Sequence, residues 1–207
     1  MDPKKAANYV KARNKTLPEY QLGNFHVLVQ APLPEDIDIS KEREINAMYS
    51  DGALYISNVQ DDNSDLKDDI VHEIAHAVEE KYGQFLYSDE DITNEFLLKR
   101  KKLKEILSFQ DYDMSGLNFF ETEYDEEFDN FLYNDIGYDA LQMLAVELFI
   151  NPYAITSLRE YFSTGFEEYY LENRLYLKDL SPYVYRKLSL LEEEDVEVLQ
   201  FQDNDSM

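Results

Sequence analysis

The chain has 207 residues, 44% of them hydrophobic, which suits one domain with a real core and an appended segment. Its 44 acidic residues against 19 basic ones give a formal charge of −25, a field that repels phosphate backbones and anionic membranes, so neither nucleic acid nor membrane is expected as a partner. With no cysteine, disulfides and thiolate ligands are excluded, and a transition-metal site must use histidine nitrogen and carboxylate oxygen.

Residues 1–20 read as a basic helix or arm. No apolar run follows it, and nowhere are there about 18 consecutive apolar residues, so neither a signal peptide nor a membrane span is expected and the location reads as cytoplasmic or virion-associated. "FHVLVQAPLP" reads as a strand ended by prolines, which remove ladder donors. In "GALYISNV", residues 52–59, Ala53, Tyr55, Ser57 and Val59 alternate with Leu54, Ile56 and Asn58, which predicts an edge strand with one mostly apolar face. "QDDNSDLKDD" reads as a solvated loop carrying helix-starting acids. From Asp69 to about Tyr82 the apolar positions Ile70, Val71, Ile74, Ala77 and Val78 recur at helical spacing, with Asp68 or Asp69 as cap and Gly83 as stop.

A second helix is predicted over "TNEFLLKRKKLKEIL", its Lys99, Arg100, Lys101, Lys102 and Lys104 forming a solvated basic face. Residues 111–135 hold nine acids, no base and seven aromatic side chains, which predicts an ordered insertion anchored by its rings while its acids stay wet. "DALQMLAVELFINP" reads as an apolar helix stopped by Asn151 and Pro152, and "SLREYFSTGFEEYYLEN" as an amphipathic helix beginning near Ser157. Residues 191–207 form an acidic tail expected to be mobile, so the domain proper runs over 1–190.

The segment "DDIVHEIAHAVEE" holds two of the three histidines. Residues four apart on a helix lie on one face, about 5 to 6 Å apart at Cβ, so His72 and His76 can bind one ion. Glu73 lies about 100° around the helix from His72, where it can reach a metal-activated water and take its proton. His26, alone in a strand, reads as a core or surface histidine. A catalytic zinc has three protein ligands and an open position. No histidine follows His76, so a distant acid must serve, and Glu147 in "LAVELFI" and Glu160 in "SLREYFSTGFEEYYL" are the candidates. Apolar neighbours on either side of Glu147 suggest a buried charge in need of a partner.

"EYFSTGFEEYY", starting at Glu160, resembles the second motif of the anthrax lethal factor-like zinc metallopeptidases, a group that includes secreted Pro-Pro endopeptidases. In that family a strand precedes an HExxH helix, a later helix gives a zinc-binding glutamate followed by two aromatics, and a tyrosine stands seven residues before it, here Tyr153. The resemblance covers residues 52–59, 69–82 and 152 to about 188, where "LYLKDLSPYVYRKLSLL" looks like the family's terminal helices. It implies an α+β, zincin-like fold: a small mixed sheet on the HExxH helix, then a mainly helical C-terminal part. It implies zinc on His72, His76 and Glu160, Glu73 as general base and Tyr153 as oxyanion donor. Thr164 departs from an acid common four residues after the ligand glutamate, and the acidic insertion lengthens the stretch between His76 and Glu160.

The expected function is hydrolysis of peptide bonds in a protein or peptide substrate laid along the edge of "GALYISNV". The alternative is a structural or interaction protein, for example virion-associated and bound within a protein assembly, that keeps the zinc-binding fold. A third reading is an acidic mimic that binds basic proteins through residues 111–135 and the tail.

Overall fold

The computed structural model describes residues 26–30, 47–50, 52–57 and 65–202. The basic arm, the prolines after the first strand, the last two residues of "GALYISNV", residues 60–64 of the acidic loop and the last five residues lie outside them. The fold is mostly helical with a small sheet, an α+β composition. The chain divides into two compact units, one of residues 1–81 and 191–207 and one of residues 82–190. Among the described residues no helix is long and apolar enough to cross a membrane.

Among the described residues the first unit holds three strands: β1 (His26–Gln30), β2 (Ala47–Ser50) and β3 (Ala53–Ser57), in the order β1-β3-β2. β1 runs parallel to β3 and β2 antiparallel to it. β3 is therefore the central strand, and its expected role as a free edge is corrected; both its sides are used by the ladder. The strand that sequence reading passed over, β2, is an outer one. A two-residue reversal joins β2 to β3, with Ser50 facing Ala53 across it and Gly52 at φ 76°, a left-handed conformation that glycine adopts without penalty. Leu54 and Ile56, alternate residues of β3, are buried as the apolar face requires.

The histidine-bearing helix, α1 (Asp65–Tyr87), is longer than predicted at both ends. It begins before Asp68 and Asp69, which are therefore not caps, and it passes through Gly83 without stopping. Ile70, Val71, Ile74, Ala75, Ala77 and Val78 are all buried, the stripe that its periodicity predicts. Its last turn is closed by Lys187 instead, whose Nζ donates to the Phe85 carbonyl at 2.7 Å and pairs with Asp89 at 2.7 Å. A cation there satisfies an orphan carbonyl and complements the helix dipole.

The elements that follow along the chain are α2 (Asp91–Phe109), α3 (Glu126–Asn130) with a π-helical turn at Phe131–Ile136, α4 (Tyr138–Leu144), a 3₁₀ turn at Tyr153–Ile155, α5 (Leu158–Leu171), α6 (Arg174–Leu180) and α7 (Pro182–Gln202), whose residues up to 190 belong to the second unit. The apolar helix expected to reach Pro152 ends at Leu144. The tail expected to be mobile from Leu191 continues α7 as far as Gln202. α5 begins where its Ser157 predicts, and Gly165 lets it approach α7 closely: a Cβ there would lie 2.7 Å from Val184 Cγ1.

The basic run of α2 is not simply a solvated face. Arg100 is wholly buried, and Lys99 is 8% exposed. Arg100 lies 3.9 Å from the Phe128 ring centroid and donates to the carbonyls of Glu121 and Asn118, so it pins the acidic segment to α2. Phe119 and Phe128, buried and edge to face at 5.0 Å, complete the anchor. The segment is ordered on its rings, and most of its carboxylates stay at the surface.

Lys99 belongs to a buried polar network. Its Nζ donates to Ser181 Oγ at 2.8 Å, Tyr161 Oη donates to Glu95 Oε1 at 2.7 Å, and the Tyr183 amide donates to Glu95 Oε2 at 3.2 Å. Burial pushes the Lys99 ammonium down to about 8 against the opposing pull of Glu95, and burial raises Glu95 against its bond from Tyr161. Between pH 8 and 10.5 the unfolded chain keeps a proton on this lysine that the folded chain releases, so its contribution to stability rises with pH across that window and is lost as pH falls through about 8. Urea unfolding of the parent and of Lys99→Met should show the difference between them moving in the parent's favour from pH 8 to 10. A difference that stays flat would mean that Lys99 does not titrate there.

Candidate metal centre

α1 brings His72 and His76 together one helical turn apart, with ring centroids 4.8 Å apart and planes at 85°. One donor atom from each of His72, Glu73 and His76 lies within 4.8 Å of the others. His76 is buried, while His72 and Glu73 are half-buried, so the group faces a boundary between apolar core and solvent. The Nδ1 of His76 lies 3.9 Å from Glu79 Oε2. At that separation the carboxylate is a charged neighbour of the ring and not a hydrogen-bond partner. Sequence reading passed over Glu79; its signal is an acid three residues after the second histidine.

Glu73 is fixed from outside its own helix. The backbone amide of Tyr49 in β2 donates to Glu73 Oε2 at 2.6 Å. This contact too was missed, because β2 was missed; Asp51-Gly52 between short apolar runs is the hairpin signal that would have found it.

The other predicted site residues lie in the second unit. Glu160 is in the first turn of α5, where a carboxylate is favoured by the dipole. Its amide donates to the Ser157 side chain at 3.1 Å, and Ser163 Oγ lies 3.3 Å from its Oε2. Ser157-Leu-Arg-Glu160 has the spacing of a capping box, which gives Glu160 a structural reason for its place. The Leu158 amide donates to the Thr122 carbonyl at 2.8 Å, tying the acidic segment to the start of this helix. Thr164 is buried, and its hydroxyl has no hydrogen-bond partner among the described residues.

Tyr153 opens the 3₁₀ turn with its side chain 40% exposed, accessible as a donor would need to be. Glu147 is exposed on the turn after α4, where the Leu148 amide donates to the Ala145 carbonyl. The buried charge that had made Glu147 a candidate ligand is absent, and its neighbour Phe149 fills the core instead. Comparison of the chain with known protein families, curated proteins and solved structures gives no match.

Proposed function

We propose that the protein is a zinc-dependent endopeptidase of the zincin type, with His72, His76 and Glu160 as zinc ligands, Glu73 as general base and Tyr153 as oxyanion donor. The observation that carries this reading is the His72, Glu73 and His76 group, whose two imidazoles and carboxylate lie close enough to serve one centre and suit zinc by donor type. Bound zinc would supply Lewis acidity and lower the pKa of a water in its open position. Glu73 would hold that water's proton and deliver it to the leaving amine. The Tyr153 hydroxyl would donate to the oxygen that gains charge as the peptide carbonyl is attacked. β2, an outer strand, offers backbone groups to an extended peptide, the part first expected of β3. Glu160 enters from its motif alone.

The test combines metal analysis of the purified protein with digestion of an unbiased peptide library. One zinc per chain and cleavage of a subset of peptides are expected. Glu160→Ala should release zinc to a chelator at least about tenfold more readily than the parent, while Glu147→Ala should behave as the parent, since loss of a ligand costs far more than loss of an exposed carboxylate. The reverse ranking would transfer the third ligand to Glu147. One zinc with no cleavage would assign the centre a structural role and favour an assembly protein.

A further inference from the structure

We propose that the backbone amide of Tyr49 is a positioning group for Glu73, so that the outer strand of the sheet sets where the proton acceptor lies. The inference rests on the peptidase reading and extends it to a residue that the metal motif does not contain. It follows from register. Ser50 and Ala53 face each other across a two-residue reversal, which makes them a hydrogen-bonded pair. Pairs alternate along an antiparallel ladder, so Tyr49 and Leu54 form a non-hydrogen-bonded pair and the Tyr49 N–H points away from β3, to the outer side of β2. There it meets Glu73 Oε2 at 2.6 Å, a short charge-assisted bond. The donor is locked in the sheet and cannot follow the carboxylate, so one oxygen of Glu73 is tied to β2 beside the two imidazoles. The strand that would receive a peptide and the helix that carries the histidines meet at this one carboxylate.

Tyr49→Pro removes the amide hydrogen at an outer-strand position whose N–H makes no ladder bond, the setting in which proline is tolerated. Replacement of the Tyr49 amide by an ester, through the corresponding hydroxy acid, is the second variant if the proline chain folds poorly. In chelator-treated protein, a double-mutant cycle of either change with Glu73→Ala should show coupling of about tenfold or more in the unfolding equilibrium. In zinc-loaded protein, on the best-cut library peptide, kcat should fall at least about tenfold with KM little changed and zinc retained. Additive stabilities would overturn the proposal, and so would coupling with unchanged kcat. Failure of the peptidase reading shows separately, in a parent protein that cuts no peptide.

Discussion

Glu73→Gln is expected to leave the protein folded and able to bind zinc while peptide cleavage falls by on the order of 10²- to 10⁴-fold, the usual weight of a general base. The substitution isolates chemistry from placement. Glutamine keeps an oxygen that can accept from the Tyr49 amide, which holds Glu73 Oε2 at 2.6 Å, so the side chain should stay where it is. Only the capacity to take a proton is lost. Turnover of a fluorogenic peptide, zinc content and the melting temperature together decide the matter. Parent-like turnover would remove Glu73 from its role, whereas loss of zinc together with activity would make it a ligand.

Arg100→Ala should be the most damaging single change in the second unit, costing about 3 to 5 kcal/mol, because it leaves buried carbonyls unsatisfied and opens a cavity against aromatic rings. The side chain is wholly buried against Phe128 and serves the carbonyls of Glu121 and Asn118. Thermal unfolding should move down by roughly 10 °C. Arg100→Lys should recover only part of this, since an ammonium is a point charge without the planar fork that reaches two carbonyls and stacks on a ring. Limited proteolysis gives the second readout: residues 111–135 should be cut at native temperature in Arg100→Ala and survive in the parent. A variant that melts within a degree of the parent would show that the rings alone hold the segment.

Periodic features were the legible ones. Repeated apolar spacing marked α1, α2 and α5, and the cap at Ser157 set the start of α5, because such signals act over one or two turns. β2 was not legible as a strand, being four residues of mixed polarity whose clearest mark is the turn after it. The burial of Lys99 and Arg100 was hidden for a different reason. Arg100 meets partners at 118, 121 and 128, and Lys99 meets Ser181, and nothing in a run of cations announces which of them will face aromatic rings so far along the chain. Glu147 misled in the opposite direction: apolar neighbours suggested burial, but the helix ends at Leu144 and the turn exposes it. Of the candidate site, the two histidines and Glu73 were readable because one helix carries them, while Glu160 and Tyr153 depended on motif likeness.

The reversal at Gly52 also bears on the order of folding. Ser50 and Ala53 are joined by only two residues, so β2 and β3 pair at almost no cost in loop entropy, on the scale of about 1 to 10 μs for hairpins. β1 pairs with β3 in parallel, His26 opposite Ala53, and must close a much longer connection. The strand that carries the Tyr49 amide is therefore expected to pair locally, ahead of β1, and α1 adds Glu73 to its outer side.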